Sequence, residues 1–131
     1  MSHAVNTKES GFLGEQIAAR FLEDLGYVIL SRNQQCGRFE IDIIAKDIAS
    51  DCTVFVEVKT SVCNDSVSRT PAFHPVSRVN SAKIKTLQRA AQIYLARELK
   101  NLDVCWRIDA VSIIIIRENK KALVSHFKNI A

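Results

Sequence analysis

Two stretches of this chain carry charge where charge is costly. Phe39-Glu40-Ile41-Asp42-Ile43-Ile44-Ala45 and Val54-Phe55-Val56-Glu57-Val58-Lys59 are rich in β-branched and aromatic residues, so both read as strands. Inside them, Asp42, Glu57 and Lys59 incur a desolvation cost unless something compensates their charge. Two acids and a lysine meeting at the edge of one sheet form a metal site with a cationic helper. The hard ions Mg2+ and Mn2+ take such oxygen ligands. An ion held there polarises a phosphoryl oxygen and lowers the pKa of a bound water. Lys59 would position that water or stabilise developing negative charge, and it would offset the repulsion between the acids. This is the chemistry of phosphodiester cleavage.

The strands decide whether those groups meet. Side chains alternate across a strand, so Glu40, Asp42 and Ile44 share one face and Phe55, Glu57 and Lys59 share another. A hairpin turn centred on Ala49 and Ser50 sets Asp42 opposite Glu57 and Glu40 opposite Lys59. A slip of one residue would put the acids on opposite faces. Glu40 then either pairs with Lys59 across the hairpin or joins the metal ligands as an accessory acid.

The remaining elements frame this hairpin. A helix is expected from Lys8 to Leu25, with Leu13, Ile17, Phe21 and Leu25 as its buried face and Gly26 as its stop. Glu15, at the border of that stripe, can look toward the sheet as a third carboxylate. Tyr27 to Leu30 reads as the first strand and Asn33 to Arg38 as a turn. Residues 60–80, with Pro71, Pro75 and several serines, read as a flexible active-site loop. A second helix runs from Ser81 to Leu99, with Ile84, Leu87, Ala91, Tyr94 and Leu95 along one side. Trp106 to Ile116 is a long apolar strand suited to burial on both faces, and Ala122 to Phe127 a short last strand. Three strands joined by short turns make an antiparallel meander, and the second helix crosses over to a parallel fourth strand. The fold class is α/β, a mixed central sheet flanked by helices.

Composition narrows the setting. At 131 residues the chain suits a single domain, 1–131, with one sizeable core. The longest apolar run, near Ile113 to Ile116, is far too short to span a bilayer, so no membrane partner is expected. The start of the chain lacks the pattern of a signal peptide, which places the protein in the cytoplasm. Cys36, Cys52, Cys63 and Cys105 form no CxxC pair, so reduced thiols and no zinc site are expected. Eighteen basic against 14 acidic residues give a net charge of +4, which mildly favours an anionic partner such as nucleic acid. On the second helix, Lys83 could approach the site, while Lys85 and Arg89 either track a phosphate backbone or form a solvated face. His74 and His126 are given no catalytic role. A pairing of Arg107 with Asp109 reads as a salt bridge.

The pattern of Asp42 followed by Glu57-Val58-Lys59 on the next strand resembles the PD-(D/E)xK nuclease superfamily. That superfamily includes type II restriction enzymes and archaeal Holliday junction resolvases. A longer ordered series looks like the bacterial YraN-like family. It runs through Gly14-Glu15, Gly26-Tyr27, Arg32-Asn33, Glu40 to Ala45, Val54 to Thr60, Val79, Lys83, Ala90-Ala91, Tyr94-Leu95, Arg107, Asp109 and His126. The resemblance implies a restriction-endonuclease-like αβββαβ core. It implies catalytic roles for Asp42, Glu57 and Lys59, with Glu15 as the helix-borne acid and metal ligands at Asp42, Glu57 and Glu15. It also implies DNA as substrate, branched or damaged DNA among its forms, cut to 5′-phosphate and 3′-hydroxyl ends. The chain departs from the family pattern twice. Phe39 stands where the family usually has glycine, and Thr60 to Asp65 replaces a basic segment. The second departure thins the charge available to hold a phosphate backbone. The alternative is a catalytically silent module that keeps the fold and binds nucleic acid or a protein. A chain this small covers little duplex, which makes a homodimer reasonable.

Overall fold

The computed structural model describes residues 7–65, 80–100 and 103–131. Helix α1 (Thr7–Asp24) leads into strands β1 (Tyr27–Cys36), β2 (Phe39–Asp47) and β3 (Cys52–Cys63). Helix α2 (Ser81–Tyr94) continues into a π-helical turn at Leu95–Leu99, and β4 (Trp106–Ile116) and β5 (Lys121–Phe127) close the chain. The five strands form one sheet in the order β1-β2-β3-β4-β5. Among the described strands only the β3–β4 pair is parallel, as the α2 crossover requires. The mixed α/β architecture expected from the sequence is therefore present. Neither described helix is long and apolar enough to cross a membrane.

One helix covers each face of the sheet. On one side Ala18, Ala19 and Leu22 of α1 pack with Ile43, Val54, Val56, Val111 and Ile113. On the other, Leu87, Ala90, Ala91 and Tyr94 of α2 pack with Ile41, Ile44, Phe55 and Ile108. Phe55 meets the rings of Tyr94 and Trp106 edge-on, at 5.7 and 5.9 Å between centroids. Asn80 caps α2 by accepting from the Lys83 N–H at 2.9 Å.

Several expectations need correction. The buried face of α1 is only half as expected: Ile17 and Phe21 pack against the core, but Leu13 and Leu25 are 41% and 54% exposed. Gly14, Ala18 and Leu22 also face the sheet, and the small Gly14 and Ala18 let the helix backbone approach closely. A Cβ on Gly14 would collide with the Thr60 hydroxyl. Residues 33–36 are strand and not turn, and the β1–β2 reversal is confined to Gly37-Arg38, with Gly37 at φ 62°. β3 likewise continues through Thr60 to Cys63, paired to Ile113–Ile116 of β4, so the expected loop does not begin at residue 60. Most of that loop, and His74, lie outside the described residues.

The thiols are the other correction. Cys52 and Cys105 are joined as a disulfide, with their Cα atoms 4.7 Å apart. Thr53 pairs with Trp106, so the residues just before them are brought side by side at the starts of two parallel strands. Cys36 and Cys63 are free.

A buried polar knot holds the far end of the sheet. Asp109, fully buried, accepts from Arg107 Nε at 3.0 Å and from the Asn129 N–H at 2.9 Å, and lies 2.8 Å from His126 Nε2. Arg107 also donates to the Tyr27 hydroxyl at 2.7 Å and to Asp47 at 3.3 Å. Burial would raise the Asp109 pKa, but the bonds from His126, Arg107 and Asn129 prevail and lower it. The expected Arg107–Asp109 salt bridge is present. The partner that spacing did not show is His126, brought in by β5.

Candidate active site

The β2–β3 hairpin turns at residues 48–51, where Asp51 adopts φ 55° and pairs with Lys46 at 3.0 Å. The register runs from Asp47↔Cys52 to Ile43↔Val56. These pairs keep the register that turn symmetry had indicated, and the ladder ends just before Asp42 and Glu57. There the Asp42 carboxylate takes over as acceptor, and the Val58 N–H donates to its Oδ2 at 2.8 Å.

This position is electrostatically unfavourable for an anion. Burial pushes the Asp42 carboxyl up, the Glu57 charge pushes it further, and the Val58 N–H recovers part of the loss. Glu15 adds to the upward push and Lys83 opposes it, leaving a pKa raised to about 7. Glu57 is buried on the α2 side of β3, continuing the face of Phe55. Its Oε1 lies 3.4 Å from Lys59 Nζ and 3.6 Å from Lys83 Nζ. The Glu57 side chain is 7% exposed, whereas Lys59 and Lys83 keep 34% and 39%. The two ammoniums, rather than the carboxylate, are what an incoming anion meets.

Glu15 stands on α1 across from the end of β1. Its pKa is raised, first by burial and also by the charges of Glu40 and Glu57; a hydrogen bond with Asn33 and the charge of Arg32 work against this. Asn33 reaches it from a left-handed backbone at φ 50°, an irregularity a polar residue tolerates. Glu40 is exposed at the start of β2, and Lys59 reaches the Glu57 carboxylate on its own strand.

The structure therefore brings together Asp42, Glu57, Lys59 and Lys83, with Glu15 in electrostatic range of Asp42 and Glu40 acting on Glu15. It does not bring Lys85 or Arg89 into that group. Both lie on the exposed side of α2, and Arg89 lines a separate groove with Arg38 and Phe39. Among the described residues, no group of three or more His, Cys, Asp or Glu is gathered closely enough to hold one metal ion. The donor chemistry nonetheless suits a hard cation: two carboxylates repel each other where burial has stripped much of their solvent.

Sequence reasoning placed no role on Arg32. Its Nε and one terminal nitrogen are buried without a hydrogen-bond partner, while its guanidinium lies 6.0 Å from the Phe12 ring centroid. The available signal was a basic residue inside a strand, followed by an asparagine suited to φ > 0.

Comparison with known proteins places the chain among relatives of one family. Residues 14–113 match the model of the family described as Uncharacterised protein family UPF0102. A UPF0102 protein of Streptomyces griseus is 39% identical over 108 residues, covering 82% of this chain and 83% of the relative. One from Clostridium botulinum is 34% identical over 122 residues, 93% of each chain. One from Caldicellulosiruptor saccharolyticus is 34% identical over 126 residues, 95% of this chain and 98% of the relative.

Proposed function

The chain belongs to the family described as Uncharacterised protein family UPF0102, and from that footing we propose that it is a metal-dependent endonuclease hydrolysing DNA phosphodiester bonds. The observation that carries this reading is Asp42, bonded to the Val58 N–H just past the end of the β2–β3 ladder, next to Glu57 and the two ammoniums that Glu57 holds. A half-buried carboxyl raised to about 7 beside a buried second carboxylate is an arrangement that a bound cation relieves. The sheet and its two flanking helices are compatible with a restriction-endonuclease-like core and with placement in the PD-(D/E)xK superfamily.

Asp42 and Glu57 would hold Mg2+ or Mn2+, with Glu15 as the outlying acid. Such an ion supplies Lewis-acid polarisation and a water of lowered pKa. The chain's own groups do the rest. Lys59 orients the attacking water and Lys83 draws in the phosphate, both through ammoniums open to solvent. The Val58 N–H fixes the Asp42 carboxylate at 2.8 Å, so its free oxygen keeps one direction. The expected products carry 5′-phosphate and 3′-hydroxyl ends.

The test is cleavage of supercoiled plasmid, flaps and four-way junctions with Mg2+ or Mn2+. Asp42→Ala should abolish cutting, and Lys59→Ala should slow it by roughly 10²–10³-fold. Activity that survives both substitutions rejects this site. A second reading, a binding module without catalysis, is favoured by the missing three-acid group among the described residues. It calls for DNA or protein binding without cleavage, unaffected by Asp42→Ala. Under either reading a homodimer would widen the surface offered to a partner, and light scattering should then give twice the 14.7 kDa chain mass.

A further inference from the structure

The β4–β5 turn carries charge that the segment after Lys59 lacks. Arg117, Lys120 and Lys121 rim a groove of about 450 Å³ between α1 and the β4–β5 hairpin, and none of the described residues lining it is acidic. Its floor is aliphatic, formed by Leu13, Ile17 and Ile115. Leu13, like Phe12 before it, is an apolar helix residue that the core leaves exposed. Arg117 Nε is buried without an acceptor, and its terminal nitrogen reaches Asn64 Oδ1 at 3.3 Å.

The groove is physically tied to the strand that bears the candidate active site. The Arg117 N–H donates to the Cys63 carbonyl at 3.0 Å, and the Glu118 N–H to that of Asn64 at 2.9 Å. Lys59 pairs with Ser112, and Arg117 follows five residues later, just past the end of β4. At strand rise that is roughly 17 Å. That is the separation along the sheet, with the groove on its α1 face and Glu57 on its α2 face.

We propose that this groove binds an unpaired DNA strand, with phosphates on Arg117, Lys120 and Lys121 and bases against the aliphatic floor. Charge favours a polyanion. The floor then distinguishes single strand from duplex, because a duplex turns its phosphates outward and keeps its bases stacked inside. A single strand can offer both at once. The groove thereby deepens the endonuclease reading, on which its role in substrate choice rests. It selects DNA with a single-stranded arm.

Binding is measured by fluorescence anisotropy with a short labelled oligonucleotide, single-stranded or duplex, in EDTA so that nothing is cut. Wild type should prefer the single strand. The exposed pair Lys120→Glu with Lys121→Glu should weaken that binding roughly tenfold and reduce the salt slope by about 1.4. Leu13→Asp should weaken single-strand binding and spare duplex binding. Lys100→Glu with Lys128→Glu, an equal change in net charge, should have little effect. The proposal is overturned by no wild-type binding, by an equal loss in the charge control, or by capture of labelled polyglutamate in place of DNA. Binding that depends on Lys120 and Lys121 without any plasmid cleavage would sink the endonuclease reading and leave the groove standing. Cleavage with unaltered binding would do the reverse.

Discussion

Asp42 carries the clearest physical consequence at the residue scale. Its folded pKa is raised to about 7, whereas an unfolded chain loses that proton near 4. Between those limits the unfolded state binds fewer protons than it would need to match the fold. Stability contributed by the neutral carboxyl is therefore full below about pH 4 and lost as pH rises through about 7. Asp42→Asn keeps an acceptor for the Val58 N–H and removes the charge. Denaturant titration should show it more stable than wild type near pH 8, by at most about 4 kcal/mol, with the gain gone near pH 4. Equal stability of the two proteins at both pH values would contradict the buried-charge account. Added Mn2+ should raise the wild-type Tm more near pH 8 than near pH 5, since a ligating carboxylate must be deprotonated, and should leave Asp42→Asn unmoved.

Elements set how closely these residues approach. Helix α1 lies on the sheet through Gly14, whose backbone meets Thr60, and the next residue is Glu15. Gly14→Ala should cost about 1–3 kcal/mol by forcing the helix outward, and should depress any activity that uses Glu15. Gly11, in the same helix, has nothing within 4 Å of an added Cβ. Gly11→Ala should leave stability unchanged or raise it by up to about 1 kcal/mol. Thermal melts of the two variants compare them directly, and matching losses would refute the close approach at Gly14. At the other end of the sheet, Asp109→Ala would leave Arg107 and the Asn129 N–H without their buried acceptor. A loss of about 3–5 kcal/mol is expected in chemical denaturation.

Over the whole molecule, the Cys52–Cys105 disulfide joins points 53 residues apart in the chain. In the chain-entropy account, a loop of that length contributes about 4 kcal/mol. Alkylation in denaturant followed by mass spectrometry should label two cysteines without reductant and all four with it. Four labels in both conditions would mean that the pair is not joined.

How much of this could be read beforehand depended on whether the information was local. The two strands bearing Asp42, Glu57 and Lys59, and even their register, followed from period-two alternation and the symmetry of a short turn. The apolar β4 strand followed from its composition. These are properties of neighbouring residues, so the sequence by itself determined them, together with the family. Non-local contacts were different. Spacing favoured Leu13 and Leu25 as the core face of α1, but helix–sheet distance selected Gly14, Ala18 and Leu22. Cys52 met Cys105, and Asp109 met His126, only because strand pairing aligned them. Lys83 reached Glu57 because the α2 crossover delivered its first turn to β3, while Lys85 and Arg89 on the same helix faced away. Only the tertiary structure decided these meetings, because they depend on how elements distant in the chain stack, and no local pattern encodes that distance.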